Sequence, residues 1–207
     1  MTEILTESTE LPLESVLLSR EWTFWENYES KERTDKKNWS SMIQDVFTFN
    51  TLIDFWQFWN IYPGADPSEV FYNGERMRYF FKKKLRIIAM NLFVKDVRPE
   101  WEDERNKNGK IFTLEYVIEN KVEIDVFMQM VQKEWVKLML SLIGENLFQS
   151  EYINGIRFVD KTQIGRKIMF RFEIWFNAEL PEESVKEIKE KYGKEFGCPG
   201  ISMKPIQ

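Results

Sequence analysis

Apolar and polar positions alternate along some stretches of this chain and recur at helical spacing along others, and that contrast lays out its elements. The clearest strand is 167–176. Ile168, Phe170, Phe172, Ile174 and Phe176 share one face, while Lys167, Met169, Arg171, Glu173 and Trp175 share the other. With 155–159 before it and a turn near 163–165, it forms a predicted hairpin. Aromatic, apolar or alternating runs at 22–28, 46–49, 85–93 and 111–117 predict further strands, and 201–206 predicts a last edge strand. Over 123–142 the spacing turns helical: Val126, Phe127, Met130, Val131, Trp135, Leu138 and Met139 fall together, and Gly144 closes the run. A shorter helix follows the cap candidate Asn50, with Leu52, Phe55, Trp56 and Trp59 on one side and Tyr62-Pro63-Gly64 to stop it. A third opens at Pro181 and runs to Phe196, where Gly197 and Pro199 end it. Strands interleaved with three helices, without repeats or a dividing linker, predict an α+β fold with helices packed on one face of an antiparallel sheet. Residues 66–84 fit either an extra helix or a hairpin. The basic, aromatic run from Arg76 to Lys84 suits a surface helix with snorkelling lysines.

Composition narrows the function. Residues 1–14 are polar and acidic and predict a flexible tail, leaving 15–207 as one domain. Of the 207 residues 43% are hydrophobic and 30% charged, enough apolar side chain for a full core. A net charge of −5 argues against broad, non-specific binding to nucleic acid, yet leaves room for a small basic pocket. There is no histidine, and Cys198 is the single cysteine. Internal disulfides, zinc sites and cysteine–histidine catalysis are thereby excluded; no metal and no cofactor are expected. No apolar run is long enough to span a membrane, and the acidic start is unlike a signal peptide. Cytosol or nucleus is the expected setting.

The candidate chemistry centres on Trp101, which is followed by Glu102-Asp103-Glu104 and preceded by Pro99-Glu100. Such a run suits a loop that presents an indole and a carboxylate side by side. A flat, cationic ring with hydrogen-bond donors on its edge would match that pair. The alternative is a loop tryptophan folded back over the edge of the core. Trp39 also follows a charged stretch, and it fits either a second stacking ring or a hydrophobic plug. Two loop indoles would make a slot one aromatic ring thick, each face contributing ~2 kcal/mol when a cation is desolvated between them. Lys161, Arg166, Lys167 and Arg171 lie around the hairpin, where they serve a phosphate tail or form a solvated face.

The run from Val97 to Gly109, the Asp54-Phe-Trp56 helix, Trp135 with Leu140-Ser-Leu-Ile-Gly-Glu145, the strand Trp22-Thr-Phe-Trp25 and the last helix resemble translation initiation factor 4E, the messenger-RNA cap-binding family. The resemblance covers 15–206 in order. It implies a curved eight-stranded antiparallel sheet backed by three long helices, with the cap site on the concave face and an insertion around 64–88. By position Trp39 and Trp101 would stack on 7-methylguanine, Glu102 would accept from its N–H edge, and Trp175 would touch the N7-methyl group. Lys161, Arg166, Lys167 and Arg171 would supply the phosphate contacts, with Lys110 a weaker candidate. Leu18, Leu52, Trp56, Val136, Lys137 and Leu140 would form the convex partner surface. The implied partners are capped messenger RNA and a scaffold of the initiation factor 4G type or a 4E-binding protein, bound by a monomer. Two departures bear on that surface. Val16-Leu17-Leu18 replaces the family's His-Pro-Leu entry, and Lys137 stands where the family has an acid. The C-terminal loop that often covers the cap is expected to be missing or reduced. The implied function is therefore non-enzymatic cap binding in translation initiation or its regulation. The competing reading is a protein-interaction module or repressor with weak or lost cap binding. The absence of histidine and of a phosphate-cradling glycine loop argues against an enzyme.

Overall fold

The computed structural model describes residues 16–30, 40–71, 85–118, 124–163, 166–197 and 200–206. Among the described residues seven strands form one sheet: β1 (Leu17–Ser30), β2 (Ile43–Thr51), β3 (Leu85–Val94), β4 (Lys110–Ile118), β5 (Ile153–Asp160), β6 (Ile168–Phe176) and β7 (Gly200–Pro205). Their order across the sheet is β2-β1-β3-β5-β6-β4-β7, antiparallel throughout. Each coincides with a stretch whose pattern predicts a strand. The eighth strand implied by the family resemblance is not found among the described residues.

Four α-helices accompany the sheet among the described residues: α1 (Leu52–Ile61), α2 (Pro67–Val70), α3 (Ile124–Ile143) and α4 (Ser184–Phe196). Only α3, at 20 residues, is long; α1 has 10 and α4 has 13. The N-cap of α1 is Thr51 rather than Asn50. The Thr51 hydroxyl accepts from the Asp54 amide at 3.1 Å and donates to the Asp54 carboxylate at 2.6 Å, which ties the first turn to its own cap. A 3-10 turn at Pro63–Ala65 and the four-residue α2 occupy the start of the segment read as an insertion. Its remainder, including the run from Arg76 to Lys84, lies outside the described residues, as do the tail, Trp39 and Cys198.

The sheet buries both faces, unequally. Against the helices lies the main core, where Trp22, Phe24, Phe158, Phe170 and Phe172 meet Phe55 of α1, Trp135 of α3 and Tyr192 of α4. Trp135 sits at the centre, its ring 5.4 Å from Phe158 and 5.5 Å from Phe172. On the opposite, open face Trp25, Ile43, Phe93, Val97, Trp175 and Ile206 form a second, smaller cluster. The candidate ligand chemistry lies on this open face.

Candidate functional site

The loop after β3 is built from within. Val97 is fully buried in the second cluster and pins one end. Asp103 accepts from the amides of Arg98 at 2.8 Å and Arg105 at 2.9 Å. Asn106, also fully buried, donates from Nδ2 to the carbonyls of Arg98 and Glu100, both at 2.8 Å, and its Oδ1 accepts from Asn154 of β5 at 2.9 Å. At the loop's far end Gly109 packs so tightly that a Cβ there would lie 2.1 Å from the Phe176 carbonyl oxygen. With its backbone fixed from inside, the loop leaves Trp101 57% exposed and Glu102 exposed beside it. The loop also reaches sideways. Ser40 Oγ donates to Glu100 Oε1 at 2.9 Å, and Arg98 donates to the Ser40 carbonyl at 3.2 Å. Ser40, which directly follows Trp39 in the sequence, thereby ties the start of the segment leading into β2 to the Trp101 loop.

Trp101 borders a cavity of 390 Å³ whose floor is the open face of β4, β6 and β7. Its charged lining is Glu115, Arg171, Glu173 and Lys204, two acids and two bases, with Ile111, Pro205 and Ile206 supplying apolar wall. Arg171 stands opposite Glu115 in the β4–β6 register and donates to Glu115 Oε1 from Nε at 3.0 Å and Nη2 at 2.6 Å. Its third nitrogen, Nη1, is 3.9 Å from Glu173 Oε1. Glu173 is itself held: Oε2 accepts from Trp175 Nε1 and from Arg157 Nη1, both at 3.1 Å. Arg157 donates onward from Nε to Asn91 Oδ1 at 2.8 Å, and Asn91 donates to Asn27 Oδ1 at 2.7 Å. A polar row thus runs from the cavity at Glu173 of β6 across β5 and β3 to β1, its members fixing one another's rotamers.

The family model described as eukaryotic initiation factor 4E matches residues 17–202. The chain belongs to the eukaryotic initiation factor 4E family. Among curated 4E relatives, translation initiation factor 4E of Eremothecium gossypii is 29% identical over 154 residues, covering 74% of this chain and 60% of the relative. That of Candida albicans is 27% identical over 178 residues, covering 86% and 71% respectively. The chain thus spans well under the whole length of these two relatives. The fold is shared with solved 4E structures. Ascaris suum eIF4E-3 in complex with the m7G cap superposes with a TM-score of 0.65 at 19% identity, covering 93% of this chain and 92% of that one. C. elegans eIF4E-3 in complex with the 4E-binding protein Mextli and a cap analog gives 0.62 at 18% identity, with 91% of each chain covered.

Of the 4E-type site residues expected from the sequence, Trp101 and Arg171 come together at the cavity. Trp175 does not line it: the indole is fully buried in the second cluster. Lys161 is exposed along its length while its amine is partly desolvated near Arg171; that desolvation and the Arg171 guanidinium pull its pKa below the lysine value of 10.5. Arg166 is exposed and Lys167 half-buried, and neither lines the cavity. Lys110 pairs with Glu182 at 2.8 Å. Trp39 lies outside the described residues.

The expected partner residues share the helical side. Leu18, Leu52, Trp56, Val136 and Leu140 are all partly buried against the main core, with apolar surface left over. Lys137 turns away toward α4, where Nζ donates to the Glu195 carbonyl at 2.8 Å and lies 4.7 Å from the Phe196 ring. It caps a helix C-terminus. Sequence reasoning missed Lys204, Glu115 and Glu173. The alternation of 111–117 and 167–176 held the signal for the two acids, because Glu115 and Glu173 share the parity of the open-face residues Ile111, Arg171 and Trp175. Lys204 gave none, as a lone lysine in an edge strand.

Proposed function

We propose that this chain binds the 7-methylguanosine cap of messenger RNA at the open-face cavity, as a member of its family acting in translation initiation or its control. The carrying observation is Trp101: an indole left 57% exposed at the mouth of a cavity that also holds Arg171 and Lys204. In this reading Trp101 covers one face of the methylated base and Trp39 the other; the bonding of Ser40 to Glu100 supports that pairing. The methylated base carries the positive charge, so ring stacking and the Glu102 carboxylate both favour it over plain guanine. Arg171, Lys204 and Lys161 serve the phosphates. Trp175 backs the site, and Glu173 holds its indole nitrogen. On the helical side Leu18, Leu52, Trp56, Val136 and Leu140 receive the apolar residues of a partner helix. That C. elegans eIF4E-3 forms a complex with the 4E-binding protein Mextli supports a protein partner for this chain as well. Position 137 holds a lysine engaged by α4 and so offers no acid to a basic residue of such a helix.

Tryptophan fluorescence titrated with 7-methyl-GTP against GTP tests the proposal. Stacking should quench the indoles with the methylated nucleotide at low concentration and with GTP only at much higher concentration. Equal quenching by both, or none by either, overturns it.

A further inference from the structure

We propose that Glu115 is a built-in competitor for the phosphate tail, occupying Arg171 and setting how much each added phosphate contributes to affinity. This deepens the cap-binding reading and depends on it only for the identity of the base.

The geometry is specific. Two of the three guanidinium nitrogens of Arg171 converge on one oxygen of Glu115, and the third faces Glu173. The fork that would grip a phosphate is therefore filled by carboxylate. The four charged side chains of the cavity sum to zero, so an arriving polyanion meets a neutral wall with two acids in it. The acids differ in exposure. The Glu173 side chain is 9% exposed and bonded by both Arg157 and Trp175, which fixes it. The Glu115 side chain is 36% exposed and sits one strand nearer the sheet edge, so its carboxylate borders water. Lys204 and Lys161 have no carboxylate within ion-pair distance among the described residues and accept an anion without such an exchange. Phosphate binding at Arg171 thus trades one carboxylate for one phosphate. The net gain per phosphate is the difference between two similar charge-assisted contacts, and it is small.

The test measures dissociation constants by calorimetry for 7-methyl-GMP, 7-methyl-GTP and inorganic triphosphate on the full chain, its Glu115→Gln and Glu115→Ala variants, Arg171→Ala, and the Arg171→Ala/Glu115→Gln double variant. The wild-type preference for triphosphate over monophosphate should be shallow. Either Glu115 variant should steepen it by about tenfold, equivalent to about 1.4 kcal/mol, and should tighten inorganic triphosphate as well. In the Arg171→Ala background the same change should do little, because Glu115 acts through Arg171. A preference that stays flat in folded Glu115 variants overturns the proposal, and so does an equal steepening without Arg171. Failure of wild type to bind either methylated nucleotide sinks the cap reading alone, since the triphosphate series still decides the role of Glu115.

Discussion

Trp101 and Trp175 are both indoles near the candidate site, and they respond to opposite pressures. Trp101 keeps more than half its surface in water and contributes little to the core. Trp101→Ala should abolish retention on 7-methylguanosine resin while leaving the unfolding midpoint nearly unchanged; retention at wild-type level counts against stacking. Trp175→Ala should instead cost ~3–5 kcal/mol of stability, as for other buried aromatic truncations. Glu102→Ala should weaken 7-methyl-GTP binding by ~1.5–3 kcal/mol, the range of a hydrogen bond to a charged group. Lys161 adds a pH dependence. Its pKa already lies below that of an ordinary lysine, and a bound phosphate favours the charged form, so binding should take up a proton on the alkaline side. Affinity should then fall as pH rises through that lowered pKa, earlier than a free lysine would give. Lys161→Arg should flatten the profile in calorimetry. The two indoles also mark the limit of local reading. Acids on both sides of Trp101 announce its exposure. Alternation assigns Trp175 to a face but not the cover over it, which Trp25, Phe93, Val97 and Ile206 bring from distant segments.

At the scale of elements, every strand and the three principal helices were legible, because each repeats its period over several residues. Edges were less so: Thr51 rather than Asn50 caps α1, since a hydroxyl that both accepts and donates closes the first turn on Asp54. The direction of Lys137 was illegible, because α4 arrives beside it from nearly 60 residues on. The residues bordering Trp56 on α1 and α3 keep apolar surface without serving the cavity. Trp56→Ala should leave nucleotide binding intact and abolish co-purification of a 4E-binding partner. Loss of nucleotide quenching in that variant would mean the two faces are not independent.

For the molecule as a whole, the cavity draws its walls from β4, β6, β7 and the loop after β3, so a ligand seated there clamps one half of the sheet. At a hundredfold excess over its dissociation constant, 7-methyl-GTP should raise the unfolding free energy by ~2.7 kcal/mol. Thermal melts with and without nucleotide read this directly, and GTP at the same concentration should do markedly less.

The sheet order carries a consequence in time. β3 and β4 follow one another in the chain, yet β5 and β6 lie between them in the sheet. While the chain is being made, β4 has no neighbour to pair with, and the Trp101 loop hangs across a gap that a later hairpin must fill. Pairings of such long sequence separation are the slow steps of folding. The recognition surface is therefore expected to assemble after the strand pair β1–β2. Pulsed hydrogen exchange should show the amides of β4 gaining protection after those of β1 and β2.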